Sequence, residues 1–172
     1  KTIYIQKASE LAWIAKATNE DSSYNGFQGY TVKQIADLDL GGVLVGTEWK
    51  AEGHQWIPIG SSVIEKPFKG NYDGGGYHIY NLCMQGARGK ETGLFGYVEG
   101  NISNVSIASG GIQVSTLGAS RYVGGVCGIS KGSISNCVSY VRLQAQDSLV
   151  YMGGICAYTE AGISNCRNYG RI

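Results

Sequence analysis

The carboxylates are the side chains of this chain with most capacity for chemistry. Asp37, Asp39 and Asp73 lie in one part of the sequence, and clustered carboxylates can hydrolyse glycosidic bonds or hold calcium. The acids after residue 78 are scattered and share no repeat position: Glu91, Glu99, Asp147 and Glu160. We therefore expect Asp37, Asp39 and Asp73 to form turns and bond the backbone, with catalysis as the alternative.

The histidines do not form a metal-binding pattern. His54 and His78 occur without an HExxH motif and without a cysteine at ligand spacing. The glycine runs are followed by neither Lys-Ser/Thr nor a helix, so they do not match a phosphate-binding or dinucleotide-binding loop. We predict no catalytic residue, no metal site and no cofactor.

Five cysteines also carry potential chemistry, but their number is odd and no CxxC pair occurs. Cys127 and Cys156 hold one repeat position, and Cys137 and Cys166 hold another. If repeats stack, each pair lies about 4.8 Å apart, the spacing of neighbouring strands. We expect buried free thiols that pack as small hydrophobes, with disulfides as the alternative.

These positions belong to a pattern that occurs three times between Thr92 and Ile172. Each copy has a glycine-flanked apolar run, and an Ile-Ser-Asn triplet follows it. The copies begin at Gly93-Leu94-Phe95-Gly96, Gly125-Val126-Cys127-Gly128 and Gly154-Ile155-Cys156-Ala157. Short apolar runs between glycines at this period are typical of a solenoid.

In a solenoid, matching residues of successive windings stack in columns. We predict a column of asparagines at a bend, where the amide bonds backbone groups and its neighbours. We also predict two aliphatic columns that fill the core. The predicted columns are Asn81, Asn104, Asn136 and Asn165; Leu94, Val126 and Ile155; and Ile102, Ile134 and Ile163.

The first 60 residues are less regular than the rest. Residues 1–7 alternate like a strand, and apolar spacing predicts a helix over 9–19 with Ser9 as its N-cap. Because solenoid ends need caps, we expect this helix to cover the first winding with Trp13 as a plug. Tyr30 to Leu40 is predicted as a strand and Gly46 to Gln55 as a loop.

The glycine-flanked cores resemble the GLUG repeat of bacterial surface proteins, although Ala157 replaces the second glycine of the third copy. The upstream segments Trp56-Ile57-Pro58-Ile59-Gly60 and Phe68-Lys69-Gly70-Asn71-Tyr72-Asp73-Gly74 resemble what precedes such repeats in exported proteins of gut Bacteroidetes. The resemblance implies a right-handed parallel β-helix, export and a cell-surface role. It does not imply one activity.

The composition and net charge of the chain argue against some classes of binding partner and leave others open. The net charge is +1 and no basic stripe occurs, so nucleic-acid binding has no electrostatic footprint. No apolar run approaches the roughly 20 residues of a membrane-spanning helix. Twelve tyrosines are present. Those that face outward could shield the outer faces of the sheets, or they could form a binding surface for glycans or proteins; the candidates are Tyr97, Tyr122, Tyr140 and Tyr158.

We therefore expect an all-β chain with an N-terminal α-helix, forming one β-helix module over residues 1–172. Residues 1–60 would hold the cap and irregular windings, residues 61–172 the regular ones, and the module would belong to a longer chain. The expected function is non-catalytic, extracellular and adhesive toward a glycan or host protein. A passive spacer and a carbohydrate-active enzyme acting through residues 37–73 are the alternatives.

Overall fold

The structure is a computed structural model that describes residues 1–51, 55–87, 89–114, 121–146 and 149–172. Strands predominate in these residues, and nearly all of them pair in parallel. The chain is therefore mostly β, with a single α-helix in the described part.

The N-terminal segment consists of β1 (Thr2–Ile5), α1 (Ala8–Glu20) and a 3₁₀ segment (Ser22–Phe27). Leu11 and Ile14 of α1 are fully buried and belong to the main hydrophobic core. The predicted plug is wrong, because the Trp13 side chain is 44% exposed. Its ring packs edge-on against Tyr24 and Phe27, at centroid distances of 5.4 and 5.8 Å.

The predicted N-cap is also wrong. The helix begins one residue earlier than expected, with Lys7 in the N-cap position. The Glu10 carboxylate bonds the free backbone donors instead, accepting from the amides of Gln6 at 2.7 Å and Lys7 at 3.1 Å. A negative side chain at this position also favours the positive end of the helix dipole.

The next segment contains four short strands, β2 (Thr31–Gln34), β3 (Leu38–Asp39), β4 (Gly42–Val45) and β5 (Glu48–Ala51). The predicted strand over 30–40 is thus broken in two. The predicted loop over 46–55 is partly wrong, since β5 pairs antiparallel with β4. The hairpin closes through Gly46 and Thr47, with Gly46 at φ 63°, because tight hairpin turns require positive φ.

Seventeen further strands follow within the described residues, and they recur in the same order: β6 (Asn71–Asp73), β7 (His78–Tyr80), β8 (Leu82–Ala87), β9 (Glu91–Thr92), β10 (Phe95–Val98), β11 (Ile102–Ser103), β12 (Ser106–Ile107), β13 (Gly110–Val114), β14 (Arg121–Gly124), β15 (Cys127–Ser130), β16 (Ile134–Ser135), β17 (Val138–Ser139), β18 (Arg142–Ala145), β19 (Val150–Gly153), β20 (Cys156–Thr159), β21 (Ile163–Ser164) and β22 (Arg167–Asn168).

These strands form five parallel sheets in which neighbours come from successive repeats, not from adjacent positions in the chain. The five orders are β1-β2-β6-β11-β16-β21, β3-β7-β12-β17-β22, β8-β13-β18, β9-β14-β19 and β10-β15-β20. Parallel neighbours need long connections, and here each connection runs through the other sheets. The hydrophobic core lies between the sheets and includes residues from every repeat.

Candidate functional site

Three of the predicted asparagines occupy one corner of successive repeats. Asn104, Asn136 and Asn165 follow β11, β16 and β21 and have φ values of 56°, 54° and 52°. Asparagine tolerates this left-handed conformation better than most residues. The Asn136 amide donates to Asn104 Oδ1 at 3.4 Å, and the Asn104 amide donates to Asp73 Oδ1 at 2.8 Å. Amide and carboxylate side chains therefore link successive levels along this corner.

Asn81 does not belong to this column, which corrects the sequence prediction. Ile79 pairs with Ile107, so Asn81 stands level with Ser109, whereas Asn104 stands level with Gly74. Asn81 also has a positive φ of 62° and exchanges hydrogen bonds with Ser109. Its Ile-Tyr-Asn triplet resembles Ile-Ser-Asn, but the register places it at a different bend.

The aliphatic residues of successive repeats lie beside one another, as expected for the two predicted columns. Ile102 pairs with Ile134 and Ile134 pairs with Ile163, all in parallel register. Ile102 and Ile134 are fully buried, while Ile163 is 41% exposed at the last level. Leu94, Val126 and Ile155 directly precede the paired residues Phe95, Cys127 and Cys156 and are all buried.

All five cysteines are free thiols. Cys127 pairs in register with Cys156, and the Cys137 amide donates to Cys166 Sγ at 3.4 Å. Burial raises the pKa of Cys137 to about 12. The neighbouring Cys127 thiol lowers the pKa of Cys156 below its usual value, and Cys156 is the less buried member of its pair.

The enzyme alternative depends on three aspartates, and each of their carboxylates accepts a hydrogen bond from a backbone amide. Asp37 Oδ1 accepts from the His78 amide at 2.8 Å. Asp39 Oδ1 accepts from the Gly41 amide at 2.8 Å and from Asn81 at 2.9 Å. Asp73 Oδ1 accepts from the Gly75 amide at 2.9 Å and from Asn104, while Oδ2 lies 3.6 Å from Lys33 Nζ.

Asp73 has the most perturbed environment of the three. Partial burial alone would raise the pKa of its carboxyl, but the hydrogen bonds from Asn104 and Gly75 and the charge of Lys33 outweigh that effect. The pKa of Asp73 therefore lies below its ordinary value. A carboxylate held in its charged form by fixed donors is suited to a structural turn.

The remaining sequence candidates for chemistry do not form a cluster in the described residues. His78 Nδ1 lies 2.9 Å from the Ser106 hydroxyl oxygen. His54 and Asp147 lie outside the described residues. Within the described ranges, no group of three His, Cys, Asp or Glu side chains is placed to hold a metal ion.

The tyrosines form two separate surface clusters. Tyr122 stacks on Tyr151, with ring centroids 5.2 Å apart, and contacts Tyr158 edge-on at 6.1 Å. Tyr97 shares the sheet of Tyr158. We call the face formed by Tyr97, Tyr122, Tyr151 and Tyr158 the tyrosine face.

Tyr140 lies on a different sheet, directly after β17, and stacks on Tyr169 at 4.9 Å. Sequence reasoning grouped Tyr140 with Tyr97, Tyr122 and Tyr158, and the structure separates it from them. The side chains of Tyr140, Tyr151 and Tyr158 are about equally exposed, at 50%, 56% and 50%. Tyr97 and Tyr122 are half-buried, so the tyrosine face is exposed mainly through Tyr151 and Tyr158.

A groove of about 550 Å³ was not predicted from the sequence. It lies between the segment 55–64 and strands β8 and β9, and Glu91, Thr92 and Trp56 contribute to its lining. Glu91 is only 4% exposed, although a single glutamate between Lys90 and Thr92 gives no signal of burial. The segment 55–64 runs beside β10, where Ile59 pairs with Phe95, and Ser62 of this segment covers Glu91 and donates to its carboxylate.

The comparisons with known proteins identify no relative. No protein-family model matches the chain, and no curated protein or solved structure matches it either. Among the described residues, no helix is both long enough and apolar enough to cross a bilayer.

Proposed function

We propose that this chain is a right-handed parallel β-helix of the GLUG-repeat type. The main support is the parallel register that pairs Ile102, Ile134 and Ile163 across three repeats. The recurring left-handed asparagine supports the same arrangement, because equivalent bends recur at equivalent positions. In this proposal α1 covers the first winding with Leu11 and Ile14.

We further propose that the module is a non-catalytic part of an extracellular or cell-surface bacterial protein and that it is adhesive. The observation that carries this proposal is the tyrosine face, where aromatic rings from successive repeats lie side by side. Exposed tyrosine presents a large contact area with little loss of side-chain entropy. The Lys131 ammonium lies 5.7 Å from the Tyr97 ring centroid and extends this face with a charged group.

The preferred partner is a glycan or a host protein, since both use aromatic platforms with hydrogen-bonding rims. The enzyme alternative has less support, because Asp37, Asp39 and Asp73 each accept hydrogen bonds from fixed donors. A passive spacer would not need exposed aromatic clusters, so the tyrosine face supports adhesion over the spacer alternative.

The proposal can be tested by binding to mucin and to broad glycan arrays. We expect binding that is lost in the Tyr122→Ala/Tyr158→Ala double variant and retained in Tyr140→Ala/Tyr169→Ala. The second pair is a matched control, because it removes a similar stacked contact from another sheet. Absence of binding by the unmodified protein would favour the spacer, and release of reducing ends or unsaturated products would favour the enzyme.

A further inference from the structure

The groove beside β9 contains a buried carboxylate whose hydrogen-bonding capacity is only partly used. Glu91 accepts from the Ser62 hydroxyl and, at 3.4 Å, from the Ser62 amide. An ionised carboxylate offers about four acceptor positions. The Glu91 side chain therefore retains free acceptor capacity at the groove.

Glu91 also lacks a basic partner in the described part of the chain. The ion pairs found there join Lys33 to Asp73 and Lys131 to Glu99. Lys90 borders the same groove, but its ammonium forms no ion pair with Glu91. A buried charge is costly unless a cation or several donors compensate it. Arg121 donates to the carbonyl of Gly89, another lining residue, and likewise forms no ion pair with Glu91. The free acceptor positions of Glu91 therefore suit a ligand that donates hydrogen bonds from a positively charged group.

The walls of the groove are mainly apolar. Trp56 uses its indole N–H to donate to the Leu94 carbonyl at 3.0 Å, which fixes the half-buried ring where it lines the groove. Val63 and Ile64 line the groove and are 66% and 53% exposed. Aromatic faces attract cations, and apolar walls favour a hydrocarbon stem over a polyhydroxylated body.

Thr92, the next residue of β9, directs its side chain to the opposite face of the strand, beside the buried Val123. Thr92 is fully buried, and its Oγ1 has no hydrogen-bond partner among the described residues. Buried hydroxyls are normally hydrogen-bonded. Because its side chain lies on the opposite face of β9, the Thr92 hydroxyl does not contribute to the groove, and Glu91 supplies the acidic group of the site.

From these observations we propose that the groove binds a primary alkylammonium ion. The ammonium would donate to Glu91, and the alkyl stem would pack against Trp56, Val63 and Ile64. This site is independent of the tyrosine face and adds a ligand class that the adhesive function does not specify.

The test is a titration of the full chain with n-pentylamine hydrochloride, 1-pentanol and glucosamine, followed by amide chemical shifts. We expect the amine to bind at least tenfold more tightly than the alcohol, with shifts at Trp56, Ser62 and Glu91. Equal binding of amine and alcohol, stronger binding of glucosamine, or no amine binding up to about 1 mM would overturn the proposal.

Variants separate the charge effect from a folding defect. Glu91→Gln keeps an acceptor for Ser62 and should weaken amine binding at least tenfold, while Glu99→Gln, which alters an exposed carboxylate near Lys131, should leave it unchanged. Val63→Ser alters only an exposed wall residue and should weaken binding severalfold even if Glu91→Gln does not fold. Undiminished amine binding in both Glu91→Gln and Val63→Ser would place the ligand elsewhere.

Discussion

Each asparagine of the corner column performs two tasks. Asn104 adopts a left-handed conformation that costs most residues about 1–2 kcal/mol, and its amide also donates to Asp73 at 2.8 Å. Aspartate could adopt the same conformation but would place a second negative charge beside Asp73. Asparagine is therefore well suited to this corner.

The two tasks of Asn104 can be separated by two substitutions. Asn104→Gly removes the hydrogen bond but keeps the left-handed backbone, so we expect a loss of about 1 kcal/mol in the free energy of unfolding. Asn104→Ala adds backbone strain, so its loss should be about 2 kcal/mol. Chemical denaturation measures both, and equal losses would show that the backbone conformation contributes nothing.

Asp73 makes the stability depend on pH. Its pKa in the folded protein lies below its ordinary value, so the ionised form stabilises the fold above about pH 4, the usual pKa of aspartate. This contribution is lost as the pH falls through the folded-state value. We expect Asp73→Asn to flatten the dependence of unfolding free energy on pH between about 3 and 5. An unchanged pH dependence in that variant would show that Asp73 does not contribute to the pH dependence of stability.

At the scale of elements, the turn that joins β14 to β15 depends on a close approach of the backbone to itself. A Cβ built on Gly124 would lie 1.9 Å from the Cys127 carbonyl oxygen, whereas one built on Gly162 meets nothing within 4 Å. This close approach brings the end of β14 against the start of β15.

A matched pair of alanine substitutions tests this turn. Gly124→Ala forces the backbone apart, and we expect it to lower the free energy of unfolding by about 3 kcal/mol or more. Gly162→Ala should change it by no more than about 0.5 kcal/mol. Thermal or urea unfolding of both variants measures the difference, and similar small effects would contradict the geometry of the turn.

The sequence predicts the elements best where a residue type recurs with a single structural purpose. The isoleucines after β10 and β15 could be placed in one column because each repeat has the same Ile-Ser-Asn triplet. Asn81 was misplaced because a similar triplet serves a different bend, and only strand register distinguishes the two. The β4–β5 hairpin was missed because Glu48 to Ala51 has no alternating apolar pattern and depends on its partner strand.

The groove could not be predicted from the sequence either, and the reason is a related one. Glu91 is buried by Ser62 and its neighbours, which lie 29 positions away in the chain. Local pattern gives no information about such long-range cover. Phe27 is buried for the same kind of reason. It packs against Phe68 and Trp13, and no helix or strand period encodes these contacts.

At the scale of the molecule, burial changes from one level to the next. Cys127 and Cys137 are fully buried, while their counterparts Cys156 and Cys166 on the last level are only partly buried. Ile163 shows the same trend relative to Ile134. The last level therefore presents a more open side of the core than the levels before it.

Thiol alkylation measures this gradient directly. We expect iodoacetamide to modify Cys156 before Cys127 and Cys137, because Cys156 is partly exposed and its pKa is lowered, whereas burial raises the pKa of Cys137 to about 12. Mass spectrometry of peptides sampled over time gives the order. Modification of Cys127 or Cys137 as fast as Cys156 would contradict the burial of the earlier levels.

The central claim is that residues one repeat apart lie directly beside each other in parallel strands. Methyl NOE spectra of isoleucine-labelled protein test it most directly, because Ile102, Ile134 and Ile163 are successive members of one column. We predict cross-peaks from Ile134 to both Ile102 and Ile163, and none between Ile102 and Ile163. Absence of both Ile134 cross-peaks, or a direct contact between Ile102 and Ile163, would contradict the stacked arrangement.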